Sequence, residues 1–336
     1  MSKHIEGHKM NRRLTIGMYH YVRNLEHSRF PEIKGLTTEQ FTEQIAYIKK
    51  YYNVIGGNDL LDAISSGQEI PPKALLLTFD DGYSDHFTQV FPILDREGVT
   101  ACFFPPAKCI LEKKVLDVNK IHFILASVPN KTELVNSIFD RVTEYRGEDE
   151  VLNKDYYWNK LAVANRFDSK EVVFIKRMLQ RELPEKLRKI IIDDLFKGYV
   201  SSDEQAFSQE LYMSLDQLRC LCRHSMYIGS HGYDHYWLDH LESGEQETEI
   251  NQSMEFLKSI TGMEAEGWIM CYPYGAHNQS LLGILANHGC KLGLTTEIGL
   301  ADFNQHNPLT LPRLDTNDLP KNAKAGPNQW TTKAIG

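Results

Sequence analysis

Short apolar runs alternate along most of this chain with longer stretches whose apolar residues recur at helical spacing. The runs cover residues 14–19, 53–55, 75–79, 101–104, 226–229, 268–272, 291–295 and 310–314. Several are apolar nearly throughout, which is the mark of strands covered on both faces. Between them, Thr37-Thr38-Glu39-Gln40 has the pattern of a capping box and predicts a helix through Tyr52. Residues 84–97 predict a helix stopped by Gly98, and Ser214-Leu215-Asp216-Gln217 opens another capped helix. Residues 247–260 end at Gly262, and residues 279–288 at Gly289. A repeated strand-then-helix order predicts a parallel sheet. Tyr19-His20, Asp80-Asp81, His231, Tyr274 and Thr295-Thr296 each follow a different strand. Such C-terminal strand ends are where (β/α) barrels build their sites, so the expected fold is α/β, a (β/α) barrel over 14–110 and 213–318.

Residues 111–212 interrupt the rhythm. Segments 132–145, 169–183 and 184–199 show apolar residues at helical spacing. In the last, Leu187, Ile190, Ile191 and Leu195 share a face, and Pro184 suits a first helical turn. A helical insertion is expected here, either walling the catalytic face or decorating the barrel's side. The tail, 319–336, has few large apolar residues, Trp330 among them, and is expected to be extended.

Two segments carry the chemistry. Thr78-Phe79-Asp80-Asp81-Gly82 puts adjacent carboxylates at the end of one apolar run. Ser230-His231-Gly232-Tyr233-Asp234-His235 puts two imidazoles four residues apart after another. Each alone also fits a turn, a cap or a helix surface. Together, each directly after a buried-type strand, they offer one carboxylate and two imidazoles to a divalent cation such as zinc, with a position open for water. The spare carboxylate is free to take a proton from that water. His20 follows the first strand and is placed for a general acid, with a structural histidine as the alternative; His277 is a second candidate. His86 reads as a helix-surface residue, and His288 precedes a helix-ending glycine. Tyr236 and Trp237 suit either stacking on a sugar ring or packing beneath their loop.

At these residues the chain resembles the polysaccharide deacetylases of carbohydrate esterase family four, which carry T-F-D-D-G, then H-x-x-x-H, then R-x-P-Y. Here Cys271-Tyr272-Pro273-Tyr274-Gly275 stands for the third segment, the form of a divergent Y-P-Y-G branch. Flanking Tyr83-Ser84-Asp85, Phe91-Pro92-Ile93-Leu94, Thr100-Ala101-Cys102-Phe103-Phe104 and Gly17-Met18-Tyr19-His20 match as well. The resemblance implies a deformed barrel of fewer than eight strands. It implies Asp80 as general base, Asp81, His231 and His235 as metal ligands, and the Tyr274 N–H as oxyanion donor. Two features depart from the family: its arginine is Cys271 here, and its late L-x-x-H has no counterpart near Leu309-Thr310-Leu311-Pro312-Arg313. Arg313 is the candidate to replace the arginine from another strand.

The implied activity is metal-dependent N-deacetylation of an N-acylated amino sugar, nucleotide-linked, lipid-linked or an oligosaccharide. An amidase or deformylase of the same fold is the enzymatic alternative, and a non-catalytic carbohydrate-binding relative is the alternative outside enzymes. The net charge of −8 argues against general nucleic-acid binding. The insertion holds 18 acidic against 17 basic residues, so the negative excess lies elsewhere in the chain. No apolar run is long enough to span a bilayer, and residues 1–13 lack the apolar core of a secretory signal. Six scattered cysteines read as reduced thiols, and Cys220-Leu221-Cys222 lacks the second pair a zinc site would need. A cytoplasmic enzyme is the expectation; nothing in the sequence sets its oligomeric state.

Overall fold

Nine strands organise the computed structural model, which describes residues 13–147, 151–262 and 267–336. They are β1 (Arg13–Tyr19), β2 (Asn53–Val54), β3 (Ala74–Asp80), β4 (Cys102–Phe104), β5 (Tyr227–Ile228), β6 (Trp268–Cys271), β7 (Cys290–Ile298), β8 (Ala301–Asp302) and β9 (Leu311–Asp315). The sheet order is β5-β4-β3-β1-β9-β7-β6, every step parallel. Beyond β5, Ser230 pairs with Met270 of β6, through Ser230 N–H to Ile269 O (3.1 Å) and Cys271 N–H to Ser230 O (2.9 Å). The ends of the order thus meet, and seven strands curl into a deformed (β/α) barrel. Gly229 permits this closure: a Cβ there would stand 2.4 Å from Phe104 Cε1 and 2.8 Å from Ile269 O.

The two-residue period of a strand sorts the core into layers. Leu76 of β3, Cys102 and Phe104 of β4, Ile269 and Cys271 of β6, and Leu311 of β9 pack in one cluster. Leu75, Leu77, Phe79, Phe103 and Leu314 point the other way and pack under helices, against Phe41, Ile45 and Ile48. Those three lie on the helix Thr38–Tyr51, opened by the Thr37–Gln40 capping box. Asp80 follows the first row, two residues beyond Thr78, so alternation carries it to the barrel's mouth. Arg313 follows Leu311 in the same way.

Contacts divide the described chain into two units. The barrel unit comprises the described residues of Met1–Asn24, Gly35–Glu112 and Leu211–Gly336. The second, Leu25–Lys34 with Lys113–Glu210, contains the helices Asp117–Ser127, Lys131–Tyr145, Lys154–Leu161, Lys170–Arg177 and Glu185–Tyr199. Pro184 is the N-cap of the last helix rather than its first residue.

Two sequence expectations are corrected. The tail is not extended: Gln329–Ile335 is a helix, capped by Asn328 Oδ1 on Thr331 N–H (2.9 Å). The hydroxyls of Tyr47 and Tyr52 donate to the buried Thr331 Oγ1, while Trp330 and Ala334, one turn apart, pack on the main core. His86 is not a surface residue but fully buried, in phase with Val90, Ile93 and Leu94. Its Nε2 lies 2.8 Å from the His20 carbonyl oxygen. Among the described residues, no helix is long and apolar enough to cross a membrane.

Candidate metal and active site

Three segments that leave the barrel strands meet at one point, and each turns there through a left-handed residue: Asp81 (φ 71°), His235 (φ 56°) and Tyr274 (φ 58°). Such φ values are costly outside glycine, and where they cluster the surroundings must impose them.

Asp80, ending β3, is 2% exposed and takes a two-pronged bond from Arg313: Nη1 to Oδ1 (2.9 Å) and Nη2 to Oδ2 (2.8 Å). The guanidinium also donates from Nε to Thr295 O (2.8 Å) and from Nη1 to Thr78 Oγ1 (3.1 Å). Burial pushes the Asp80 pKa up, but Arg313, with His20 and His231, outweighs it and brings it down to about 2. The carboxylate is therefore ionised at any ordinary pH. His20 Nε2 stands 3.8 Å from Asp80 Oδ2 on a side chain that is 41% exposed, open to solvent on one side and to Asp80 on the other.

Asp81 directs Oδ1 at both imidazoles, 3.3 Å from His231 Nε2 and 3.3 Å from His235 Nε2. His231 Nδ1–H donates to Cys271 O (2.7 Å). A carbonyl only accepts, so in the neutral ring Nε2 carries a lone pair facing the carboxylate. Buried Asp81 Oδ1 makes no hydrogen bond, and neither does His235 Nδ1. Burial lowers the His235 pKa below the ordinary imidazole value, which favours the neutral form that ligates. Burial opposes a proton on His231 too, yet Cys271 and Asp81 outweigh it; the pull on a proton there is the pull a cation would meet. One carboxylate oxygen and two imidazole nitrogens converge here, a set that fits a divalent ion of the zinc type.

The supports are local. Tyr83, fully buried, donates its hydroxyl hydrogen to Asp81 Oδ2. Glu249, from the helix Ser243–Thr261, accepts on Oε2 from the N–H groups of Tyr233 (2.9 Å) and Asp234 (3.1 Å), bracing the loop between the two histidines. Trp237 stacks on Tyr274 (4.3 Å, 5°), whose ring meets His235 edge-on (4.8 Å). That face of Trp237 is thus occupied by packing rather than offered to a sugar. Gly275 lets the turn pass Thr296, whose backbone nitrogen would stand 2.9 Å from a Cβ at that position.

Asp80, Asp81, His231, His235, His20, Tyr274 and Arg313 therefore share one neighbourhood at the mouth. His277 instead turns Nδ1 to Gly275 O (2.9 Å) and sits beside Tyr272, and His288 Nε2 pairs with Glu247 Oε1 (2.6 Å). Cys220 and Cys222 are free thiols on the helix Leu215–Arg223. Sequence reasoning missed the roles of Tyr83 and Glu249. Tyr83 stood in a quoted flank but carried no signal of its direction, and Glu249 lay within an expected helix.

Known proteins bear on this geometry. The sequence profile described as Polysaccharide deacetylase matches residues 67–141 and 128–293. Over 72 residues the chain is 40% identical to the poly-beta-1,6-N-acetyl-D-glucosamine N-deacetylase of Escherichia coli, a stretch that is 21% of this chain and 11% of that protein. The fold is similar to that of the Streptococcus pyogenes deacetylase PplD, solved with acetate, at TM-score 0.55 and 17% identity over 92% of this chain and 93% of that one. It is also similar to the BpsB deacetylase domain from Bordetella bronchiseptica, at TM-score 0.52 and 14% identity over 90% and 96%. At such identities the structures speak for the fold, whereas the profile spans more than half of the sequence. This chain belongs to the polysaccharide deacetylase family.

Proposed function

We propose that the chain is a metal-dependent N-deacetylase that hydrolyses the N-acetyl group of an amino sugar. The observation that carries the reading is the convergence of Asp81 Oδ1 and the two Nε2 atoms beside an ionised Asp80. When bound, a divalent ion of the zinc type supplies polarisation of the acyl carbonyl and a water of lowered pKa. Asp80 accepts the proton of the attacking water. Held near 2, it is a weak base, so it serves an acidified water and not a free one. Arg313 fixes the direction of its lone pairs. The Tyr274 N–H donates to the oxygen that becomes negative as water adds to the acyl carbon. His20 gives its proton to the departing nitrogen as the C–N bond breaks, and acetate and the free amine result.

The E. coli relative acts, by its name, on a β-1,6-linked N-acetylglucosamine polymer, so oligomers of that sugar are the first substrate to assay. A nucleotide-linked N-acetylhexosamine, an intracellular precursor, is the second. The purified protein is expected to bind about one zinc or cobalt and to release acetate. Asp80→Asn keeps the metal and loses on the order of 10²–10⁴ in rate, whereas His235→Ala loses metal and rate together. No metal bound after zinc and cobalt are supplied, or equal metal loss in the two variants, would overturn the reading.

A further inference from the structure

We propose that Tyr83 is a positioning residue that makes Asp81 a one-oxygen ligand, its phenol occupying Oδ2 so that only Oδ1 is offered to the metal. The inference rests on the metal-site reading above and concerns how that site sets its own coordination.

The backbone creates the contact. Asp81 and Gly82 are consecutive left-handed residues (φ 71° and 68°), so the chain doubles back and the Tyr83 hydroxyl reaches the carboxylate two residues before it. Gly82 is needed there, since a Cβ would stand 2.6 Å from Pro105 Cβ. The ring cannot swing away. Tyr21 stacks on it at 4.1 Å and 18°, Tyr212 lies parallel at 6.2 Å, and Tyr83 and Tyr212 also pair through their backbones. Met213 N–H bonds Gly82 O (2.9 Å) and pins the turn from the same side. Tyr21 and Tyr83 also interact through their hydroxyls. Arg23 lies over the Tyr21 ring (4.7 Å) and bonds Asp85 (2.6 Å), holding the outer end of the series.

A carboxylate so held gives the ion one oxygen and leaves coordination positions for water and the substrate carbonyl. A freed carboxylate would rotate and grip with both oxygens, filling a position the reaction needs. Two-oxygen binding also suits larger oxygen-seeking ions better than zinc.

Tyr83→Phe removes the hydroxyl and keeps the stacked ring. Titration of the metal-free protein with zinc and cobalt is expected to show affinity about 10–100-fold weaker than wild type. The bound cobalt should absorb with lower intensity, as its coordination number rises, and selectivity for zinc over manganese should narrow. The thermal midpoint of the metal-free protein should stay near that of wild type, which separates positioning from a structural role. Unchanged zinc affinity with an unmoved cobalt spectrum would overturn the proposal. A wild-type protein that binds no metal would instead overturn the reading beneath it. If Tyr83→Phe does not fold, Tyr21→Phe carries the test: it removes the hydroxyl that meets Tyr83 and should weaken zinc binding in the same direction, and unchanged binding there overturns the proposal.

Discussion

A guanidinium and a carboxylate out of water are stabilising only when every polar atom finds a partner, and Arg313 meets that demand with four bonds, two of them to Asp80. Arg313→Met leaves a buried carboxylate alone, at a cost of about 3–5 kcal/mol. Burial is then opposed only by His20 and His231, so the Asp80 pKa rises from about 2. Because the base must be ionised, the acidic limb of the pH–rate profile is expected to move upward and the plateau rate to fall. Cys271→Ser should change little. A full-rate Arg313→Met enzyme with an unmoved limb would leave Asp80 without its functional partner. The same shift has a stability sign: Asp80 contributes above its unfolded pKa of about 4, and the contribution disappears as pH falls through about 2. The grouping of Asp81, His231 and His235 was legible because each motif is contiguous. Arg313 was legible as a candidate from a second strand's end, since alternation places 311 and 313 on one face. Glu249 was not, because it acts on a loop sixteen residues earlier through a packing that local pattern does not encode. His86 was misread although its phase with Val90, Ile93 and Leu94 was available.

Strand alternation carries Asp80 and Arg313, whereas turns direct the groups beyond the strand ends. Left-handed residues stand at Asp81 after β3, at His235 beyond β5 and at Tyr274 after β6. At Tyr274 the turn is held by the Trp237 stack on one side and by Thr296 Oγ1–H to Tyr274 O (3.3 Å) on the other. Trp237→Leu is expected to lower kcat about tenfold with metal content unchanged, a fraction of the 10²–10³ that full loss of an oxyanion donor costs. Steady-state kinetics beside metal analysis checks this, and an unchanged kcat would show that the stack is not needed to aim the N–H. Elements with local signals were read well: the capping boxes at Thr37 and Ser214 and the glycine stops at Gly98 and Gly262 stand where expected. Elements without them were missed, among them the helix Gly57–Ser66, whose cap is glycine, and the tail helix, whose Asn328 cap went unweighed. The reach of β7 to Ile298 was missed because its last residues are exposed.

For the barrel as a whole, closure and chemistry share a seam. Ser230, which joins the two ends of the sheet, directly precedes His231, and its hydroxyl meets Ser253 on the covering helix. A metal held by His231 and His235 is therefore expected to stabilise the entire unit. Zinc at a hundred times its Kd adds about 2.7 kcal/mol, seen as a raised urea midpoint in wild type and not in His235→Ala; an equal rise in both would mean that zinc binds elsewhere. The parallel barrel was legible from strand–helix alternation. The strand count was not, because β2 and β5 have two residues each and closure depends on one bridge beside Gly229. The left-handed backbone at Asp81, His235 and Tyr274 reaches further than catalysis. Each costs on the order of 1–2 kcal/mol, against a net stability of about 5–15 for a typical protein. Selection for turnover keeps these residues in place against selection for stability. A descendant freed from its reaction would gain by exchanging them for glycine or asparagine, so decay of the enzyme would begin at its most essential residues and leave a sturdier fold.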